Sequence, residues 1–149
     1  MRIPLDESTV IAAAEQLRMA KVESVAICLL HSYANPDHEL RVAELIGKIL
    51  PSSVFISCSS EILPEIREYE RTSTTVVNAF LGPVVRRYLD SLTNRLQSAG
   101  IKRPLHIMQS SGGQMSVDTA VSKPAYLVES GPAAGVIAAA RIAKQAGLS

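Results

Sequence analysis

Val22–Leu30 reads VESVAICLL, a nearly unbroken apolar run rich in β-branched residues, and its reading decides the fold. A run of this kind is the pattern of a strand covered on both faces. Upstream of it, apolar residues recur at helical spacing between Leu5 and Met19 (Val10, Ala13, Ala14, Leu17), with Asp6 or Ser8 available as the cap. Downstream, His31, Ser32, Tyr33 and Asn35 form the loop at the strand's carboxyl end, and Pro36 and Asp37 open a second helix. That helix carries Leu40, Ala43, Ile46 and Leu50 on one face, with Glu39, Arg41, Glu44 and Lys48 largely on the other. Pro51 closes it, and Val54–Cys58 is a second short strand. Helix, strand, helix, strand predicts an α/β fold with a mainly parallel sheet flanked by helices.

After Ser59 and Ser60 the pattern changes. Glu61–Thr75 is polar, with near-alternating charges in the run EIREYER (Glu65–Arg71), and an internal boundary is expected around Glu65–Thr75. Asn78–Gln97 is a long amphipathic helix with Phe80, Val84, Val85, Tyr88, Leu89, Leu92 and Leu96 as its apolar stripe. Gly82 and Pro83 fall near its start, where proline belongs, and Gly100 stops it. Leu105–Met108 is a third strand, Tyr126–Val128 a candidate fourth, and Gly131–Ala146 a last helix rich in Ala and Gly.

The chain has 149 residues, about one domain's worth. Fifteen Lys and Arg against fourteen Asp and Glu leave a formal charge of +1, too weak a field for a phosphate backbone or an anionic membrane, so nucleic acid and membrane are not expected partners. Hydrophobic residues make up 47%, enough to fill a core, and with no Trp that core is built from Val, Ile, Leu and Ala. No apolar run approaches the roughly 20 residues that span a bilayer. Arg2, Asp6 and Glu7 interrupt any early apolar stretch, so a cleavable signal is not expected. Cys28 and Cys58 make no metal spacing and read as buried free thiols of a reducing compartment, which points to a cytoplasmic protein.

Gln109-Ser110-Ser111-Gly112-Gly113 follows a strand, where open α/β sheets bind ligands. Its glycines let backbone N–H groups approach an anion or a carbonyl, and a plain turn is the alternative. No Gly-Lys-Ser/Thr follows, so it is not a Walker loop. Ser130-Gly131-Pro132-Ala133-Ala134-Gly135 opens a helix, with Ser130 as a candidate N-cap. Here a phosphate site and close packing compete. Gly131, Gly135 and Ala139 lie four apart, as do Ala134 and Ala138, giving a face almost without side chains, and packing or a hinge is the favoured reading. Glu65, Arg67, Glu68, Glu70 and Arg71 read as a solvated charged face, and Arg71-Thr72-Ser73-Thr74-Thr75 as a loop bonding its own backbone, with an anionic group or a domain interface as the alternative. His31, His38 and His106 are too scattered for a metal site, though His31 stands at a strand's carboxyl end. No catalytic triad can be assembled from spacing, so the catalytic residues stay unassigned.

Four stretches resemble the hydantoinase A/oxoprolinase family: VAICLLHSYANPDHELRV (Val25–Val42), SSEILPEIREYERTSTTVVNAFLGPVVRRYL (Ser59–Leu89), IMQSSGGQMS (Ile107–Ser116) and ESGPAAGV (Glu129–Val136). The resemblance implies an actin-like/sugar-kinase-type ATPase fold, with residues 1–64 ending a first α/β lobe and residues 65–149 beginning the family's central domain. It implies an ATP-dependent hydrolase, using ATP with Mg, that phosphorylates a ring carbonyl oxygen and opens hydantoin, N-methylhydantoin or 5-oxoproline. Some relatives are subunits of ketone carboxylases. By motif position Arg71, Thr72, Ser110, Ser111, Gly112 and Gly113 fall on the substrate side, and Ser130, Gly131, Pro132 and Gly135 on the nucleotide side or hinge. Relatives commonly carry Asn where Ser111 stands. The family's Gly-Gly-Thr phosphate loops are missing, since Gly112-Gly113 is followed by Gln114. The chain is therefore expected to be an internal fragment, inactive and without a cofactor when isolated, whose partners are a small cyclic amide and the rest of a parent chain or a partner subunit. Self-association is expected from exposed sheet edges. The competing reading is a non-catalytic interaction module.

Overall fold

A computed structural model describes residues 3–147. The chain divides into two compact units, Met1–Pro83 and Val84–Ser149.

In the first unit, Asp6 caps helix α1 (Glu7–Met19), its carboxylate accepting from the Ser8 amide. Strand β1 (Ser24–Ile27), helix α2 (Asp37–Ile49) and strand β2 (Phe55–Cys58) follow. β1 and β2 pair in parallel, Ser24 opposite Phe55 through Ile27 opposite Cys58, as the alternating pattern predicts. The core is Ala14, Ile27, Val42, Ile46, Leu50 and Cys58, drawn from α1, both strands and α2 with its cap. Across the helices Arg41 Nε donates to Glu7 Oε1 at 2.7 Å, an exposed pair that solvent screens. A single turn, α3 (Ser59–Ile62), leaves β2.

Helix α4 (Glu68–Ser98) begins ten residues before the expected start, so Pro83 lies inside it. The Arg71–Thr75 run is thus helical, not a loop; the Thr75 hydroxyl bonds the Arg71 carbonyl one turn back at 2.7 Å. The expected apolar stripe divides. Leu89 is buried, whereas Phe80, Val84 and Tyr88 are exposed, because Thr75, Asn78 and Ala79 fill the inward face.

In the second unit, β3 (His106–Met108) pairs antiparallel with β4 (Gln114–Ser116), a strand the periodicity did not reveal. Helix α5 (Val117–Ser122) carries a Ser116 cap, and the core there is Leu89, Met115 and Ala120. Tyr126–Val128 is not a strand. Pro124–Leu127 forms a 3-10 turn, with Pro124 in its first position fixing a helical φ. Helix α6 (Ser130–Gln145) ends the described chain.

Candidate functional site

The carboxyl ends of the parallel strands are held by buried polar side chains. Glu39, in the first turn of α2, is fully buried. Its Oε1 accepts from the Leu29 amide at 2.7 Å and the Ser59 hydroxyl at 2.6 Å, and its Oε2 from the Ser60 amide at 2.8 Å. Burial by itself raises the pKa of this carboxyl. The Ser59 hydroxyl and the Leu29 and Ser60 amides together outweigh it, leaving Glu39 below the ordinary glutamate range. The sequence reading placed Glu39 on the solvated face. The missed signal is register, because Glu39, Val42 and Ile46 fall on one helical stripe and all three are buried.

Arg71 is likewise not on a solvated face: it is 1% exposed. Its Nη2 donates to the Leu29 carbonyl at 2.7 Å, and its guanidinium lies 5.6 Å from the centre of the Tyr33 ring. Nε and Nη1 are buried without a hydrogen-bond partner. Arg71 therefore braces the backbone after β1 and does not present its charge to solvent. Thr72, one residue on, is exposed, with its hydroxyl 3.0 Å from Cys28 Sγ. Asn78 Nδ2 donates to Ser57 Oγ at 3.0 Å, tying α4 to β2.

Cys58 is buried as expected, whereas Cys28 is half-buried, because it lies just beyond β1 beside Thr72. Burial, reinforced by the negative charges of Glu61 and Glu39, pushes the Cys58 thiol up to about 12. An alkylating agent at neutral pH is expected to modify Cys28 in the folded protein and spare Cys58 until denaturant is added; mass mapping of the modified peptides checks this.

The Ser110–Gly113 segment is the tip of the β3–β4 hairpin. Because the pair is antiparallel, the ligand-binding position expected at the end of a parallel strand does not apply to this loop. The turn closes on itself: the Gln109 amide donates to the Gly113 carbonyl at 2.8 Å, and the Gly112 amide to the Gln109 carbonyl at 3.0 Å. Ser110 gives both its amide and its hydroxyl to the Tyr126 carbonyl, at 2.8 and 2.9 Å. Ser111 is exposed, its hydroxyl 3.4 Å from Gln109 Oε1. Gly112 has φ +88°, and a methyl group there would overlap Ile137 of α6. Gly112→Ala is expected to lower stability by about 1–3 kcal/mol, read in a urea titration, mostly from the left-handed backbone. Gly113→Ala, at an ordinary φ, should change it much less.

Ser130 does not cap α6. It is the first helical residue, and Glu129 precedes it at φ +62° without a side-chain cap bond. Gly131, Pro132 and Gly135 are exposed, and a methyl group at either glycine would meet nothing within 4 Å. The close helix packing expected of the small-residue face is therefore not found among the described residues; that face is bare.

A model of the hydantoinase/oxoprolinase family matches residues 71–149, and a model of its N-terminal region matches residues 1–50. The chain belongs to the hydantoinase/oxoprolinase family. An uncharacterized protein of Methanocaldococcus jannaschii is 46% identical over 141 residues, 95% of this chain and 21% of that protein. The crystal structure of an ATP-dependent caprolactamase from Pseudomonas jessenii superposes with a TM-score of 0.88 at 37% identity, over 98% of this chain and 21% of that one. A nucleotide-free acetone carboxylase structure gives a TM-score of 0.84 at 31% identity, again over 97% and 21%. The chain thus spans about a fifth of the length of these relatives.

The α6 end proposed for the nucleotide side is preceded by a carboxylate, Glu129, which opposes a phosphate by charge. Among the described residues no three His, Cys, Asp or Glu are placed to hold a metal ion. No described helix is long and apolar enough to cross a membrane.

Proposed function

We propose that the protein carrying this chain is an ATP-dependent hydrolase that opens a cyclic amide: hydantoin, N-methylhydantoin or 5-oxoproline. The observation that supports this reading is the close match of 98% of the chain to a segment of the ATP-dependent caprolactamase, at 37% identity and a TM-score of 0.88. An amide is a poor electrophile, and phosphorylation of its oxygen creates a far better leaving group. ATP with magnesium would be held by other parts of the parent, in an actin-like ATPase fold to which residues 1–64 contribute the end of a first lobe and residues 65–149 the start of a central domain.

In this reading Thr72 serves the substrate side directly and Arg71 supports it from beneath. In the second unit Ser110, Ser111, Gly112 and Gly113 serve the substrate side, while Ser130, Gly131, Pro132 and Gly135 serve the nucleotide side or a hinge. The protein works in the cytoplasm with a small cyclic amide and, like the Pseudomonas relative named as subunit alpha, with a partner subunit.

A second reading, a subunit of a ketone carboxylase, is favoured by the acetone carboxylase likeness at a TM-score of 0.84. ADP release by the full-length protein, with a panel of cyclic amides and with acetone plus bicarbonate, separates the two. Ring-amide-dependent ADP release is expected; release only with the ketone would replace the first reading by the second.

A further inference from the structure

The loop after β1 is fixed from several sides, by Arg71 and by groups the hydrolase reading does not use. Glu39 takes the Leu29 N–H and Arg71 the Leu29 carbonyl, so both faces of one residue's backbone are gripped by buried charges. Three residues on, buried Ser32 meets Ser59 at 3.1 Å, and Ser59 is itself bonded to Glu39. Tyr33 lies over Arg71. Asn35 Oδ1 accepts from the Asp37 amide at 3.0 Å, closing the loop onto α2.

Between these anchors lie two side chains open to solvent. Leu30 is 75% exposed, and His31 is exposed with its ring edge-on to Tyr33 at 6.0 Å. His31 has φ +58°, a left-handed conformation that a β-carbon disfavours, and the Ala34 and Asn35 amides both bond its carbonyl there, at 3.0 and 3.2 Å. A strained backbone persists only where its surroundings over-determine it. Here they hold an imidazole and an apolar side chain together at the carboxyl end of a parallel strand, the edge at which α/β sheets bind ligands.

We propose that the Leu30–His31 tip is a substrate-contacting element of the hydrolase, with His31 hydrogen-bonding the ring amide, Leu30 covering the ring's methylene edge, and Glu39 and Arg71 as positioning residues. The assignment rests on the cyclic-amide reading. Neutral imidazole offers one donor and one acceptor nitrogen, the complement of a ring carbonyl and its adjacent N–H.

The test uses the full-length enzyme, ADP release with hydantoin and 5-oxoproline, and hydrogen exchange of the peptide covering residues 29–35. His31→Ala is expected to raise KM about 10- to 100-fold with a smaller change in kcat. His31→Gly should show the same KM while its thermal midpoint holds or rises, because glycine relieves the left-handed strain; a merely structural histidine would not separate the two. Arg71→Met should speed exchange of residues 29–35 and raise KM, and Arg71→Lys, which keeps a donor for the Leu29 carbonyl, should recover part of both. An active wild type with unchanged KM in His31→Ala overturns the tip assignment and leaves the hydrolase reading standing. Absence of ADP release by wild type with any cyclic amide overturns the hydrolase reading and the tip assignment with it.

Discussion

Glu39→Ala is expected to lower the stability of the first unit by about 3–5 kcal/mol, since each buried donor left without its acceptor costs about 1–3 kcal/mol. The variant strands the Leu29 and Ser60 amides and the Ser59 hydroxyl, all of which end on this one carboxylate. It also frees the backbone that Arg71 braces from the other side. Urea unfolding followed by circular dichroism reads the loss. Glu39→Gln, which keeps one acceptor oxygen, should recover part of it. The same carboxyl predicts an acid limb. Because its folded pKa lies below the ordinary glutamate value, the folded state binds the proton less readily than the unfolded chain. Its contribution is therefore complete above the unfolded value and is lost as pH falls through the folded one. Glu39→Gln should flatten that limb more than substitutions in the exposed, solvent-screened Glu44 pairs.

Gly82→Ala is the second large effect, and its sign runs against helix propensity. In the interior of an exposed helix the change would stabilise by about 1 kcal/mol. At Gly82 the added methyl would overlap the Phe55 ring at Cγ and both Cδ atoms, and Phe55 is only 3% exposed. The ring sits inside a packed core, so net destabilisation by about 1–3 kcal/mol is expected, measured as a lower thermal midpoint. Pairing Gly82→Ala with Phe55→Leu should recover part of the loss in a double-mutant cycle, since the smaller side chain makes room.

The first unit's architecture was legible in the sequence because its signals are separate. VESVAICLL has the strand pattern, Pro36 and Pro51 bracket α2, and the Phe55–Cys58 run stands alone. The family resemblance likewise rested on long contiguous motifs, and the family models match on both sides of the chain. Where the reading failed, a tertiary contact overrode a local preference. Glu39 and Arg71 looked solvated because charge usually is; each is buried because backbone groups at the strand ends supply its partners. Pro83 looked like a helix start because interior proline removes a hydrogen bond, yet α4 runs through it with Asn78 and Leu89 anchored on either side. The Gly112-Gly113 turn looked like the end of a parallel strand because three-residue β4 is too short to register as a period. The small-residue face of α6 was read as a packing or hinge surface, and nothing among the described residues packs against Gly131 or Gly135.

The two strand pairs also set an order of events during folding. Partners in the β3–β4 hairpin lie six to ten positions apart, from Met108 and Gln114 to His106 and Ser116, so that pair closes by a short search. Every partner pair in β1–β2 is separated by 31 positions, with α2 in between. Closing a loop of that length before any contact rewards it is an entropic barrier, and it falls once α2 has shortened the intervening chain. The parallel pair is therefore expected to form later than the hairpin, and stopped-flow refolding should show that mutations weakening α2 slow refolding of the first unit more than they speed its unfolding.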